Sequence, residues 1–178
     1  MKNLLLLALI GVSSISFGQT LGKWSTGLSY TPSIQNGTTL AIPINRHFTD
    51  KFQMGLTVFT WYDKYQSGSS TNVKSGSLGI NLTSKYVFVK GSVLRPYIQG
   101  FGGYGHTATI YQSQFYDDRE ELLDYWGFSL GIGTEVAIGK KGWFGDINLG
   151  YFKYISLSGA TEFSSPIGSV GILKRFGK

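Results

Sequence analysis

The stretch Ser77-Leu78-Gly79-Ile80-Asn81-Leu82-Thr83-Ser84-Lys85-Tyr86-Val87-Phe88 decides the fold. Leu78, Ile80, Leu82, Tyr86 and Phe88, with Ser84 among them, share one parity; Ser77, Gly79, Asn81, Thr83, Lys85 and Val87 share the other. Successive side chains of a strand point to opposite faces, so a repeat of two specifies a strand with one greasy face and one small or polar face. Phe52, Met54, Leu56 and Val58 repeat the pattern against Gln53, Gly55 and Thr57. Phe128, Leu130, Ile132, Thr134, Val136 and Ile138 do so against Gly127, Ser129, Gly131, Gly133, Glu135 and Ala137. No window after residue 18 carries the 3.6-residue period of an amphipathic helix.

Extending this reading along the chain gives eight strands, near residues 21 to 30, 38 to 46, 52 to 62, 76 to 89, 93 to 106, 125 to 138, 143 to 154 and 166 to 176. Most reach the roughly 9 to 11 residues that a tilted strand needs to cross a bilayer. Connections after the second, fourth and sixth strands are short, at His47 to Lys51, Lys90 to Ser92 and Gly139 to Gly142. Those after the third and fifth, Asp63 to Ser75 and Thr107 to Asp124, are long and polar. Short turns at one end, long loops at the other and an even strand count describe an all-β, transmembrane, antiparallel up-and-down β-barrel of about eight strands. Closure is required because an open sheet edge in hydrocarbon would leave backbone N–H and C=O groups unpaired. The short turns and both termini are expected on the periplasmic side.

Aromatic residues cluster at the strand ends. Trp61, Tyr62, Tyr104, Tyr125, Trp126, Tyr151 and Tyr154 lie at the loop ends, and Phe52, Phe88, Trp143, Phe144 and Phe176 at the turn ends. They are expected to form two interfacial girdles.

The first eighteen residues read differently. Met1-Lys2-Asn3 is a short basic start, Leu4 to Val12 an apolar run, and Ser16-Phe17-Gly18 a small-residue cleavage signal. Together they specify a secretory signal peptide, too short in its apolar part to span a bilayer as a helix. Residues 19–178 then form a single barrel domain. The 178 residues carry a formal charge of +6, 25 Gly, 11 Tyr, 12 Phe, 4 Trp, 4 Pro and no Cys. Aromatics favour strands, and glycine with little proline suits close backbone approach and curvature. Without Cys, an exported chain of this size must draw its stability from sources other than disulfides. The basic excess is scattered, with no block of like charge, so nucleic acid is not an expected partner.

The terminal strand, with Val170, Ile172 and the closing Arg175-Phe176, resembles the aromatic-ended last strand of outer-membrane barrels, although Gly177 and Lys178 follow and Lys174 interrupts the alternation. Arg95-Pro96-Tyr97-Ile98-Gln99-Gly100-Phe101-Gly102-Gly103-Tyr104-Gly105 resembles the Pro-Tyr, glycine-rich strand of the OmpA/OmpX-like small barrels. The resemblance implies a monomeric Gram-negative outer-membrane protein in contact with membrane lipids and lipopolysaccharide. It implies no particular ligand.

Several motifs have competing readings. Gly100 to Gly105 fits the G-x-G-x-x-G spacing of dinucleotide sites, but no helix follows to hold a pyrophosphate; no cofactor is expected. Gly22-Lys23-Trp24 matches the G-x-W of lipocalins, soluble barrels whose apolar side chains face inward around a ligand; the polar second face here favours the membrane barrel. His47 and His106 are too far apart to pair on a metal. His106 with Thr107 is the nearest approach to the Ser/His machinery of lipid A-modifying barrels and lacks its spacing, so an enzyme is not expected. Asp117, Asp118, Glu120, Glu121 and Asp124 place half of the ten acidic residues in one external loop, a candidate interaction site for a cation or an extracellular partner.

With the apolar face turned outward, Lys85, Arg95, Glu135 and Asp146 all point into the lumen from four successive strands, near the periplasmic end. Charges confined in a narrow interior must pair, and an eight-stranded barrel is just wide enough for side chains to fill. The expectation is a plugged lumen and a structural or surface-interaction role carried by the external loops. A small channel, a hydrophobic-ligand conduit or a lipid-modifying enzyme are the alternatives.

Overall fold

The computed structural model describes residues 24–32, 37–67, 71–89, 92–113, 117–139, 142–157 and 162–177. The segment read as a signal peptide and Gly22-Lys23 lie outside the described residues. Eight strands run in chain order: β1 (Trp24–Pro32), β2 (Thr38–His47), β3 (Phe52–Ser67), β4 (Thr71–Val87), β5 (Leu94–Ser113), β6 (Arg119–Ile138), β7 (Trp143–Ser156) and β8 (Glu162–Phe176). Each pairs antiparallel with its sequence neighbours, and β1 pairs with β8 through Trp24↔Phe176 to Tyr30↔Val170. The sheet is therefore a closed barrel, and every regular element among the described residues is a strand.

Closure reverses the usual placement of apolar side chains. Leu28, Ile42, Leu82, Leu130, Ile132 and Leu149 are each at least half exposed, on the outer face. Glu135, Gln53, Arg95 and Lys85 are buried inside. An apolar band of this size cannot stay in water and marks a surface that faces lipid.

The short turns share the end at which β1 begins and β8 ends, the end that takes the label periplasmic because barrels of this architecture turn their short connections to that side. Between β2 and β3, the hydroxyl of Thr49 accepts hydrogen bonds from the amides of Lys51 (3.2 Å) and Phe52 (2.9 Å), a local side-chain turn. Between β6 and β7, Gly139 and Gly142 adopt φ of 65° and 73°, the left-handed region that glycine enters without steric cost.

The opposite end differs from expectation. The segments read as loops at 63–75 and 107–124 are largely strand: β3 and β4 stay in register to Ser67↔Thr71, and β5 and β6 to Tyr111↔Arg119. Four strands thus rise as an extension above the barrel. Beyond Tyr62 and Tyr125 the outer edges of β3 and β6 have no ladder partner in β2 or β7 among the described residues.

The girdle assignment also needs correction. Tyr62, Trp126 and Tyr151 do face outward at the external end, as do Phe88, Trp143 and Phe176 at the other. Trp61, Tyr125, Tyr154 and Phe144 instead belong to the inner face. Trp61 and Tyr62 are sequence neighbours, as are Tyr125 and Trp126, and one residue's step along a strand reverses the face.

Candidate functional site

The candidate site is the lumen, whose two ends are built differently. At the periplasmic end the register sets Arg95 opposite Glu135 and Glu135 opposite Asp146. Two carboxylates opposed on adjacent strands repel, and three cations resolve the conflict. The Lys85 ammonium, two strands from β6, crosses the lumen to Glu135 Oε1 (3.3 Å) and Asp146 Oδ1 (3.2 Å). Arg95 reaches Glu135 Oε2 at 3.3 Å, and Arg175 reaches the same oxygen at 3.4 Å. The Glu135 side chain is 2% exposed.

Neutral groups complete this floor. The Gln53 amide donates to Glu135 Oε1 at 3.2 Å, and the Tyr97 hydroxyl donates to Asp146 Oδ2 at 3.1 Å. The ammonium of Lys85 also lies 3.9 Å from the centre of the Tyr97 ring, and Arg175 and Arg95 cover Phe144 at 4.7 and 5.5 Å, three cation–π contacts. Arg95 further donates to the backbone carbonyl of Asp50 at 3.2 Å, which ties the network to the first turn. His47 contacts the hydroxyl of Ser25 beside it at 3.0 Å.

The four charged residues picked out by sequence thus meet in one cluster, but the cluster is larger than two against two. Arg175, Gln53 and Tyr97 were missed. Arg175 has the parity opposite to Val170 and Ile172, and Tyr97 lies two residues after Arg95, so the period-two phase already carried the signal.

Above the floor the lumen opens into a cavity of about 830 Å³ that reaches the external rim. Phe59, Trp61, Phe101, Tyr125, Phe152 and Tyr154 line its walls, among serines, threonines and asparagines. The rings form a continuous run, with centroids 5.9 Å apart for Phe101–Phe152, 6.2 Å for Phe152–Tyr154 and 5.3 Å for Tyr125–Tyr154. Glycine on the inner face makes room for them. A Cβ at Gly105 would fall 2.4 Å from the Tyr125 ring, which lies across β5 with its hydroxyl 2.8 Å from Ser77 on β4.

The acidic residues read as one loop site lie on and just before a strand. Glu120, Glu121 and Asp124 stand on β6, while Asp117 and Asp118 precede it. Asp118 accepts from Gln112 (3.4 Å) and Glu121 from Tyr111 (3.3 Å). Asp124 faces outward just above the Tyr104–Trp126 ring pair, where it contacts His106 Nδ1 at 2.7 Å and accepts from the Tyr104 hydroxyl. Those hydrogen bonds, from Tyr104 first and then His106, hold its carboxyl below the usual carboxylate range. Among the described residues no three His, Asp or Glu converge as a metal site. Thr107 lies on the inner face, in the cavity wall, so it and the outward His106 cannot act on one substrate atom.

No protein-family model matches this sequence, and no curated protein matches it. Solved structures do. The chain is similar to Ail, the attachment invasion locus protein of Yersinia pestis, solved with the heparin analogue sucrose octasulfate, with a TM-score of 0.58 and 10% identity over 88% of this chain and all of that one. It is similar to Neisserial surface protein A, with a TM-score of 0.53 and 17% identity over 87% and 96% of the two chains. The N-terminal β-barrel domain of Pseudomonas aeruginosa OprF gives 0.53 and 16% over 89% and 100%. The fold is that of the small eight-stranded outer-membrane barrels.

Proposed function

We propose that this protein resides in the outer membrane of a Gram-negative bacterium, exported by its N-terminal signal peptide, and acts as a non-enzymatic surface-interaction protein whose lumen does not conduct. One observation carries the reading: the unbroken pairing of β3 to β6 above the aromatic girdle. A sheet held clear of the bilayer, with strand edges at Asp63–Ser67 and Arg119–Leu123, offers backbone groups and alternating side chains to another chain. Charge divides this sheet. Lys64 opposes Lys74 on the β3–β4 hairpin, whereas Asp117, Asp118, Glu120 and Glu121 crowd the β5–β6 hairpin. A heparin-like polyanion of the kind seen with Ail would be repelled by the second hairpin, so a protein partner with a basic patch is the better fit there.

The floor network supports the non-conducting part, because salt-bridged side chains fill the narrow lumen from wall to wall. Membrane lipid and lipopolysaccharide would surround the monomer through its apolar band.

The experiment replaces residues 64–74 and 110–120 each by Asn-Gly, a two-residue hairpin turn, in surface-displayed protein. The trimmed barrel should remain heat-modifiable on a gel, while adhesion of the bacteria to protein-coated surfaces falls to the level of cells lacking the protein. Undiminished adhesion would refute the role of the extension.

A further inference from the structure

The external cavity has features that the surface-interaction role does not use. Its volume of about 830 Å³ lies within the roughly 300 to 1,000 Å³ of small-molecule sites. Its floor is closed, so whatever enters must leave the same way. Among the described residues three charged side chains line it, Asp63, Lys85 and Asp146. Lys85 and Asp146 are paired with each other, and Lys85 with Glu135 as well. That leaves Asp63.

Asp63 is 5% exposed on the inner face of β3, and its Oδ1 has no hydrogen-bond partner. The hydroxyls nearest in register are engaged elsewhere: Ser75, directly opposite on β4, bonds with Thr109 at 3.0 Å, and Ser77 with Tyr125. A carboxylate left so in a confined interior is costly unless a positive group compensates it. Trp61 and Tyr65 flank it on the same face of the strand, and Tyr125 and Tyr154 complete an aromatic wall of the same cavity. Aromatic faces attract cations and repel anions through the ring quadrupole.

We propose that the external vestibule is a binding site for a small organic cation, an alkylammonium or quaternary ammonium group on an apolar or aromatic body. The charged head takes the place beside Asp63, and the body lies along the ring run of Tyr154, Phe152 and Phe101. Anionic amphiphiles such as fatty acids are disfavoured, since Lys85, the one cation lining the cavity among the described residues, already serves two carboxylates. The assignment is independent of the hairpin extension, because the trimmed barrel described above loses Tyr65 alone from this wall and retains Asp63, Ser75, Trp61 and the ring run from Tyr125 to Phe101.

The test compares (naphthylmethyl)trimethylammonium with naphthalenesulfonate, probes of similar shape and opposite charge. Each is titrated calorimetrically into the protein in lipid nanodiscs, with empty discs subtracted. The ammonium should bind saturably at one site and the sulfonate should not. Asp63→Asn, which keeps the side-chain volume, should weaken the ammonium by about tenfold or more, the loss expected for one charge-assisted contact. Equal binding of both probes, no saturable binding of the ammonium, or full affinity in a folded Asp63→Asn protein would each overturn the proposal. If Asp63→Asn does not fold, the comparison of the two probes on the unaltered protein decides alone.

Discussion

The two ends of the lumen are made from the same eight strands and the same inward parity, yet an ion-pair network crosses one and aromatic rings line a cavity at the other. At the periplasmic end Lys85, Arg95 and Arg175 meet Glu135 and Asp146, and Gln53 and Tyr97 add hydrogen bonds to the two carboxylates, while Gln53 Oε1, Arg95 Nε and Arg175 Nε have no hydrogen-bond partner. Toward the exterior, rings stand against the walls, held back by glycines, and one carboxylate has no partner. Side-chain reach explains the difference. Lysine and arginine extend across a narrow barrel and find opposite charge, whereas a ring laid flat over a neighbouring glycine leaves the centre empty. The floor therefore behaves as a polar core in which every member depends on the others, and the vestibule as a preformed site in which single changes are tolerated.

The largest expected effect lies in the floor. Glu135→Ala leaves Arg95 and Arg175 without their carboxylate and Lys85 with Asp146 alone, and should lower stability by about 3 to 5 kcal/mol, the usual cost of breaking a buried ion pair, measured by denaturant unfolding in detergent or lipid. Arg95→Ala combined with it should recover part of that loss, because the two changes share one interaction. Simple additivity would mean that the floor is not a network.

Steric changes come next. A Cβ at Gly133 would lie 2.4 Å from both the Tyr97 ring and the carbonyl oxygen of Ile147. Gly133→Ala should therefore displace the tyrosine that donates to Asp146 and cost about 1 to 3 kcal/mol, as overpacking does. The matched vestibule change, Ser77→Ala, removes the hydrogen bond to Tyr125 beside open space and should cost about 1 kcal/mol, the net value of one such bond. If Ser77→Ala proved as damaging as Glu135→Ala, the contrast between the two ends would fail.

The smallest effect lies outside the lumen. Asp124 titrates below the ordinary carboxylate range because the folded state stabilises its charged form. Its contribution to stability is complete above the unfolded carboxylate pKa and is lost as pH falls through the lower folded value. Nuclear magnetic resonance should place the Asp124 midpoint below the usual value, and Tyr104→Phe should move it upward. An unchanged midpoint in Tyr104→Phe would assign the effect to His106 instead.

Much of this was legible in the sequence, for a physical reason. Inside the bilayer one face must be apolar, so Leu78 to Phe88 and Phe128 to Ile138 display their parity openly, and the charges at 85, 95, 135 and 146 follow from it. The strand extensions were not legible. Residues 63–75 and 107–124 lie above the membrane, where no lipid enforces an apolar outer face, and their pairing continues a register set below. The ring faces at Trp61, Tyr125, Tyr154 and Phe144 were obscured because aromatics suit both an interfacial girdle and a lumen wall. Asp63 looked like the first residue of a polar loop; its burial depends on neighbours across the barrel.

The most direct test of a lumen open outside and closed below uses the chain's lack of cysteine. Thr39 lines the vestibule, and Gln53 lies buried at the floor. In intact cells, Thr39→Cys should react with an externally added, membrane-impermeant, positively charged thiol reagent, and Gln53→Cys should not. Labelling at both positions would reveal an open pore, and labelling at neither would mean that no vestibule exists; either result contradicts the account.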